Sequence, residues 1–476
     1  MSDSYTSWFA YFALLFWPVV ALYLYSKLPV GQATLWAILA GYLLLPIDAE
    51  IKFKMVPAFN KQSIPNLAAF IGCALYARRF PKFIRGFGLA EILILPILIG
   101  PFITAMLNND PIAVGPTVLP GVGAYDAGSA AISEFIFILP FFLGRQYLRS
   151  AKDNTDALRV MVIAGLAYSL LMLIEIRMSP QLRTWLYGQV GGASGQEFRS
   201  GGFRPVVFLA NGLLVAFFAM TTTVAAAALW RTQTRIGRLP SAGITAYLSV
   251  ILVLCKTMGA FVYGAVLVPL VRWASPRLQI RIASALVILA LAYPMLRVAD
   301  IFPTTSLVNA AHAISADRAD SLNVRFEWED QLLEHALQRP WFGWGRYGRS
   351  RIIFAETGQD ISITDGYWII TIGQYGVVGF VAQFGLLVLA VFRAARALKF
   401  AQTMQEGVCL AALALIVAIN IVDLLPNASM TAWLWLLVGA LLGRAETLSA
   451  VARQRNPAGN LKPPSMGVHS RVGRSA

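Results

Sequence analysis

Charge is scarce in this sequence: Asp, Glu, Lys and Arg make up 13% of its 476 residues, well below the share usual for a soluble domain. That shortage excludes an ordinary water-solvated fold. Cysteine is scarcer still: Cys73, Cys255 and Cys409 each sit inside an apolar run with no metal or disulfide spacing, so they read as small buried hydrophobes. No cluster of His, Cys, Asp and Glu at ligand spacing lies outside the apolar runs, so neither a metal nor a cofactor is expected. Short alternating strands are missing, which excludes a transmembrane β-barrel. No convincing internal repeat is found, which weighs against a transporter built from matched halves. The first apolar run, Trp8 to Tyr25, lacks a basic leader and a small-residue cleavage site, so it is expected to be retained.

What is present is apolar: 57% of the residues are hydrophobic, and mean hydropathy is +0.63. They fall in blocks of roughly 15–25 residues, the length a helix needs to cross the hydrocarbon core. Backbone groups in lipid must be satisfied within each segment, so each block predicts a helix. The expected class is an all-α polytopic membrane protein of 12–13 transmembrane helices. Spans are placed near 7–26, 31–47, 64–77, 88–107, 130–147, 158–177 and 205–230, then 242–255, 258–272, 281–298, 366–392, 406–424 and 430–444. The pair at 242–272 reads alternatively as one long bent element.

Net charge is +15, which in a soluble protein would suggest nucleic acid; here it sets orientation, and no nucleic-acid partner is expected. Basic connections carry Arg78, Arg79, Lys82 and Arg85; Arg145, Arg149, Lys152 and Arg159; Arg231, Arg235 and Arg238; Arg272, Arg277 and Arg281; and Arg393, Arg396 and Lys399. They alternate with the other connections and belong in the cytoplasm, as does a basic, Pro/Gly/Ser-rich tail over 447–476, expected to be disordered. The opposite side then holds loops near 108–129, 178–204 and 299–365. The chain divides into a bundle over 1–298, the large loop over 299–365, helices over 366–446 and the tail.

The large loop predicts an amphipathic helix from about Ala319 to Gln338, with Leu322, Phe326, Leu333 and Leu337 as its apolar stripe. Arg325 and Glu329 are spaced to pair. Pro340 ends the helix, and Trp341-Phe-Gly-Trp-Gly-Arg-Tyr-Gly348 follows. Gly343 and Gly345 permit close approach of a ligand, and the aromatics offer faces for sugar rings or for the membrane interface. An interfacial anchor without chemistry explains the same pattern.

Arg325-x-x-Trp328, then His335, then Pro340-x-x-Gly343-x-Gly345-x-Tyr347 resembles the large periplasmic loop of the O-antigen ligase and polysaccharide polymerase superfamily. Asp365-Gly-Tyr367 through Gln374-Tyr-Gly376-Val-Val-Gly379 is similar to that family's next helix. The likeness is sharpest over 320–380. The family's ligases typically have a histidine near the position of Asp365, beside an Asn where this chain has Gly366, which favours a polymerase or a more distant relative over a lipid A-core ligase.

The resemblance implies a metal-independent glycosyltransferase at the periplasmic face of the bacterial inner membrane. Its substrate would be an oligosaccharide on undecaprenyl pyrophosphate. Its partners would be that glycolipid, membrane lipids and other polysaccharide-assembly membrane proteins. Such a reaction needs cations for a diphosphate leaving group and a base for the acceptor hydroxyl. Arg325 matches the family's loop arginine. Arg204, Lys256 and Arg346 are further phosphate or glycan contacts on the outer side, with Arg177, Arg183 and Arg199 in the same group. His335, Asp365, Glu327 and Asp330 compete as the base, and His335 and Asp365 are carried forward with Arg325 as catalytic. Headgroup binding, snorkelling, a local Arg177–Glu175 pair and helix capping by Asp365 are the structural alternatives. Glu91, Glu134 and Asp423, acids inside spans, find no place in this scheme. A ligase acting on lipid A-core and a lipid-linked oligosaccharide flippase remain the competing functions.

Overall fold

The computed structural model describes residues 6–53, 56–78, 80–81, 83, 86–189, 197–199, 201–313 and 315–455. Its N-terminal helices are α1 (Trp8–Lys27), α2 (Val30–Leu44), α3 (Ser63–Tyr76), α4 (Leu89–Met106), α5 (Ala124–Tyr147), α6 (Ala151–Met178), α7 (Leu182–Tyr187) and α8 (Gly212–Arg231). Then come α9 (Ser241–Leu254), α10 (Met258–Trp273), α11 (Pro276–Val298), α12 (Thr304–His312), α13 (Ala316–Leu337), α14 (Tyr367–Ala397), α15 (Met404–Asp423) and α16 (Ala432–Arg455). Sheet among the described residues is confined to three antiparallel hairpins in connections: β1–β2 (Glu50–Ile51, Phe59–Asn60), β3–β4 (Ile112–Val114, Thr117–Leu119) and β5–β6 (Phe198–Arg199, Gly202–Phe203).

The chain is an all-α polytopic membrane protein. Among the described residues nine helices are long and apolar enough to cross a bilayer, and four more, α2, α3, α9 and α10, are apolar but only 14 to 16 residues long. Each expected span has its helix. Large side chains such as Phe12, Leu15 and Phe16 on α1 and Ile92, Leu95 and Ile99 on α4 are exposed, a surface suited to lipid and costly in water. α8, α15 and α16 are the most enclosed, and α5 lies along α16. There Gly439 and Gly443 of α16 let the backbones meet: a Cβ at either would lie 2.1 Å from Phe141 O or 2.5 Å from Arg145 O. Small residues four apart at a membrane-helix interface do this work.

One segment decides between two expected readings, and two others depart from expectation. The 242–272 pair is two helices, α9 and α10, turning at Lys256, where φ is +51°. Ser241 lies at the C-terminal end of α8, bonded to Thr234 O, and Arg231 Nη1 donates to Val271 O at 3.0 Å near the end of α10. The two therefore run antiparallel along α8. The span expected from 205 starts only at Gly212, because Pro205–Leu209 is buried non-helical chain. Its backbone is satisfied by side chains: Val206 and Val207 N–H donate to Glu175 Oε2, each at 2.7 Å, Phe208 N–H donates to Tyr168 OH at 3.1 Å, and Lys61 Nζ donates to Phe208 O at 2.6 Å. Such partners are what irregular chain among membrane helices requires. Glu175 is thereby committed to amides, not to Arg177. Finally, α16 runs on to Arg455, and the rest of the expected tail lies outside the described residues, as do Arg79, Lys82 and Arg85.

The two ends of the bundle differ. At the basic end Arg145 Nη1 bonds Glu91 at 2.8 Å and its Nη2 bonds Glu446 at 2.7 Å, while Arg444 pairs with Glu406. The α8–α9 and α10–α11 connections meet here, Arg272 lying 4.4 Å over the Trp230 ring. At the loop end the 299–365 stretch folds over the hairpin at 112–119: Arg339 Nη1 donates to Asn108 Oδ1 at 2.7 Å, Arg349 Nη1 to Asp110 O at 2.8 Å, and Thr117 Oγ1 to Gly358 O at 2.8 Å.

Candidate functional site

α13 forms as its periodicity predicts, with a shifted stripe. Leu333 is buried as expected, and so are Leu332 and Ala336, whereas Leu337 is exposed. Glu329 also points inward, accepting from Tyr293 OH at 2.6 Å and Trp368 Nε1 at 3.3 Å, with Arg297 Nε at 3.5 Å. Burial pushes the Glu329 carboxyl above the usual range, against those hydrogen bonds and the Arg297 charge. The expected Arg325–Glu329 pair is therefore replaced: Arg325 Nε instead faces Asp365 Oδ2 at 3.2 Å.

α14 is broken. Gly376 has φ +67° and ψ −169°, so the i to i−4 ladder fails at Val377 and Val378. Their N–H groups donate to Pro340 O at 2.7 Å and Trp341 O at 3.2 Å. The carbonyls they would have used, Gly373 and Gln374, accept from Trp344 N–H at 2.8 Å and Gly345 N–H at 3.0 Å. The loop thus exchanges hydrogen bonds with the break one for one. Gly343 permits this contact, since a Cβ there would lie 2.6 Å from Gln374 C. The close approach expected for a ligand at Gly343 is made by this chain's own backbone.

The strapped loop delivers Arg346 to a cavity of about 410 Å³. There Arg346 Nη2 lies 3.5 Å from Glu134 Oε1, which accepts from Tyr375 OH at 3.0 Å, and Tyr367, Thr371 and Gln374 complete the polar wall. A second cavity, also about 410 Å³, receives Arg325, Asp365 and Asp423. Asp423 is held by Asn427 Nδ2 and Ser429 Oγ, each donating at 2.9 Å. Ala428 borders both spaces. The N-terminus of α14 docks on this turn, with Tyr367 N–H donating to Leu424 O at 2.9 Å. Gly366 is needed there, because a Cβ would lie 2.4 Å from Leu425 O.

Side-chain exposures of 34% for Arg325 and 40% for Asp365 leave both free to meet a ligand. The two cavities together offer two guanidinium groups, three carboxylates, phenols and amides, a set suited to phosphate and sugar hydroxyls.

Other expected residues stand apart from this pair. His335 stacks on Trp344, centroids 4.5 Å apart, and its Nε2 lies 3.0 Å from Arg349 O, so it braces the loop away from Asp365. Arg204 is buried with Nε 3.2 Å from Glu197 Oε2, against the start of α8. Lys256 reaches the β5–β6 hairpin, its Nζ 2.3 Å from where a Gly202 Cβ would stand. Arg183 is buried in α7. Glu327 accepts from Asn323 at 2.6 Å, and Asp330 pairs with Arg297 at 2.7 Å. Glu134 and Asp423 are what sequence reasoning set aside. Their signal was an acid inside an apolar span, a functional mark by default. No family model matches the chain, and no curated protein matches it either.

Proposed function

We propose that this chain is a bacterial inner-membrane glycosyltransferase that polymerises undecaprenyl-pyrophosphate-linked oligosaccharide at the periplasmic face, without a metal. The observation that carries the reading is the Arg325–Asp365 pair, half-exposed in one cavity beside the Arg346 cavity. The acceptor hydroxyl attacks the anomeric carbon of the donor sugar as the bond from that carbon to the diphosphate oxygen breaks. Asp365 takes the hydroxyl proton, and the lipid diphosphate leaves with the bonding electrons. Arg325 and Arg346 stabilise the charge that grows on it, a task for which the planar guanidinium is suited. Arg325 also orients Asp365, while Glu134 and Tyr375 aim Arg346.

The test is reconstitution. Purified protein given lipid-linked repeat units should lengthen them, and Arg325→Ala, inserted at normal level, should not. Failure of the wild-type protein to join any units, with the substrate shown to be intact, would sink the proposal.

A further inference from the structure

The largest cavity described is at the other end of the molecule. It holds about 1110 Å³ between the C-terminal ends of α3 and α5 and the outer turns of α16. Among the described residues three guanidinium groups line it against one carboxylate: Arg78, Arg145 and Arg149 against Glu446. Arg145 pairs with Glu446, and Glu91 holds the remaining edge of Arg145. The other two cations differ. Arg149 donates Nε–H to Thr447 Oγ1 at 3.1 Å, Arg78 is exposed, and among the described residues neither lies within ion-pair distance of a carboxylate. The rest of the wall combines Gln146 and Tyr147 with apolar Val30, Phe80 and Ala450.

A cavity with spare positive charge, an apolar flank and a position where spans leave the hydrocarbon fits an amphiphile carrying a phosphate. We propose that it seats the headgroup of an acidic phospholipid, with the phosphodiester between Arg78 and Arg149 and the acyl chains running out along α3 and α5. Helix C-termini reinforce the arginines that end there but repel the anion, so binding rests on the side chains. This site is independent of the glycan chemistry at the opposite end.

The experiment uses the full chain purified in detergent, with bound lipid measured by native mass spectrometry. Phosphatidylglycerol should be retained at least tenfold better than phosphatidylcholine, and the preference should fade between 50 mM and 500 mM NaCl, as screening of an exposed ion pair requires. Arg78→Gln and Arg149→Gln should each weaken retention about fivefold, and the double variant about thirtyfold. Equal retention of the two lipids, salt-independent preference in the wild-type protein, or unchanged retention in the double variant would each overturn the proposal. Displacement of phosphatidylglycerol by millimolar inorganic phosphate would do so too, by marking the cavity as a site for a soluble anion.

Discussion

Replacing Gly376 with Ala tests the broken helix directly. With the break kept, an added Cβ would lie 2.3 Å from both C and O of Trp341 and 2.5 Å from Phe342 N, all backbone atoms without freedom to swing aside. The pairing of φ +67° with ψ −169° is essentially confined to glycine and costs another residue a further 1–3 kcal/mol, roughly. The alternative is a straight α14, in which Val377 and Val378 recover the carbonyls of Gly373 and Gln374. That expels Trp344 and Gly345 from those acceptors and leaves Pro340 and Trp341 carbonyls without their donors. Four bonds are lost and two regained, a net cost of about 1–3 kcal/mol at the usual worth of a backbone hydrogen bond. The cheaper route sets the cost, so the strap over residues 340–345 loosens by about 1–3 kcal/mol, and Arg346 loses its position. Hydrogen exchange in detergent should show faster exchange at Trp344, Gly345, Val377 and Val378, and glycan elongation should fall about tenfold or more. Gly348→Ala is the control, since φ there is +80° but nothing lies within 4 Å of a new Cβ, so only local strain applies. If Gly376→Ala exchanged no faster than Gly348→Ala and elongated glycan normally, the account of α14 would be wrong.

Asp365→Asn should lower elongation by roughly 10²–10⁴, the usual worth of a positioned proton acceptor, with little change in donor binding as read by a KM comparison. Arg325→Lys keeps the charge but not the fork, and should recover only a small part of the activity lost in Arg325→Ala. Elongation should survive EDTA; inhibition reversed by added divalent metal would count against the proposed chemistry. Lys61 supplies a pH test. Burial, reinforced by the charge of Arg183 and opposed by Asp48, pushes its ammonium down to about 7. A base depressed in the folded state binds its proton more weakly there than in the unfolded chain. Stability should therefore decline as pH falls from above 10 toward 7 and level off below, and Lys61→Met should flatten that slope in thermal unfolding scans.

Hydropathy was enough to locate the helices, because a bilayer imposes length and apolarity on each segment separately. α13 was legible from its period alone, although Glu329 inside its buried face was not, since its partners Tyr293 and Trp368 come from other helices. Pro205–Leu209 misled for a related reason: apolar side chains announce burial, not helix, and the backbone partners Glu175, Tyr168 and Lys61 are distant in sequence. Arg325 and Asp365 could each be picked out, but their meeting depends on how α13 crosses α14 and on the turn beneath Gly366. Gly343 was recognised as a point of close approach; what approaches it was decided by Gly376, whose left-handed angle leaves no trace in hydropathy.

The Glu91–Arg145–Glu446 triad has a bearing on how the protein is made. Arg145 meets Glu91 early in synthesis, but its second carboxylate is 301 positions downstream, on the final helix. Before α16 is made, the guanidinium is answered on one side only, and the face of α5 that Gly439 and Gly443 of α16 later meet is uncovered. Docking of α16 on α5 therefore completes the pairing of Arg145 and ties that guanidinium to both halves of the chain.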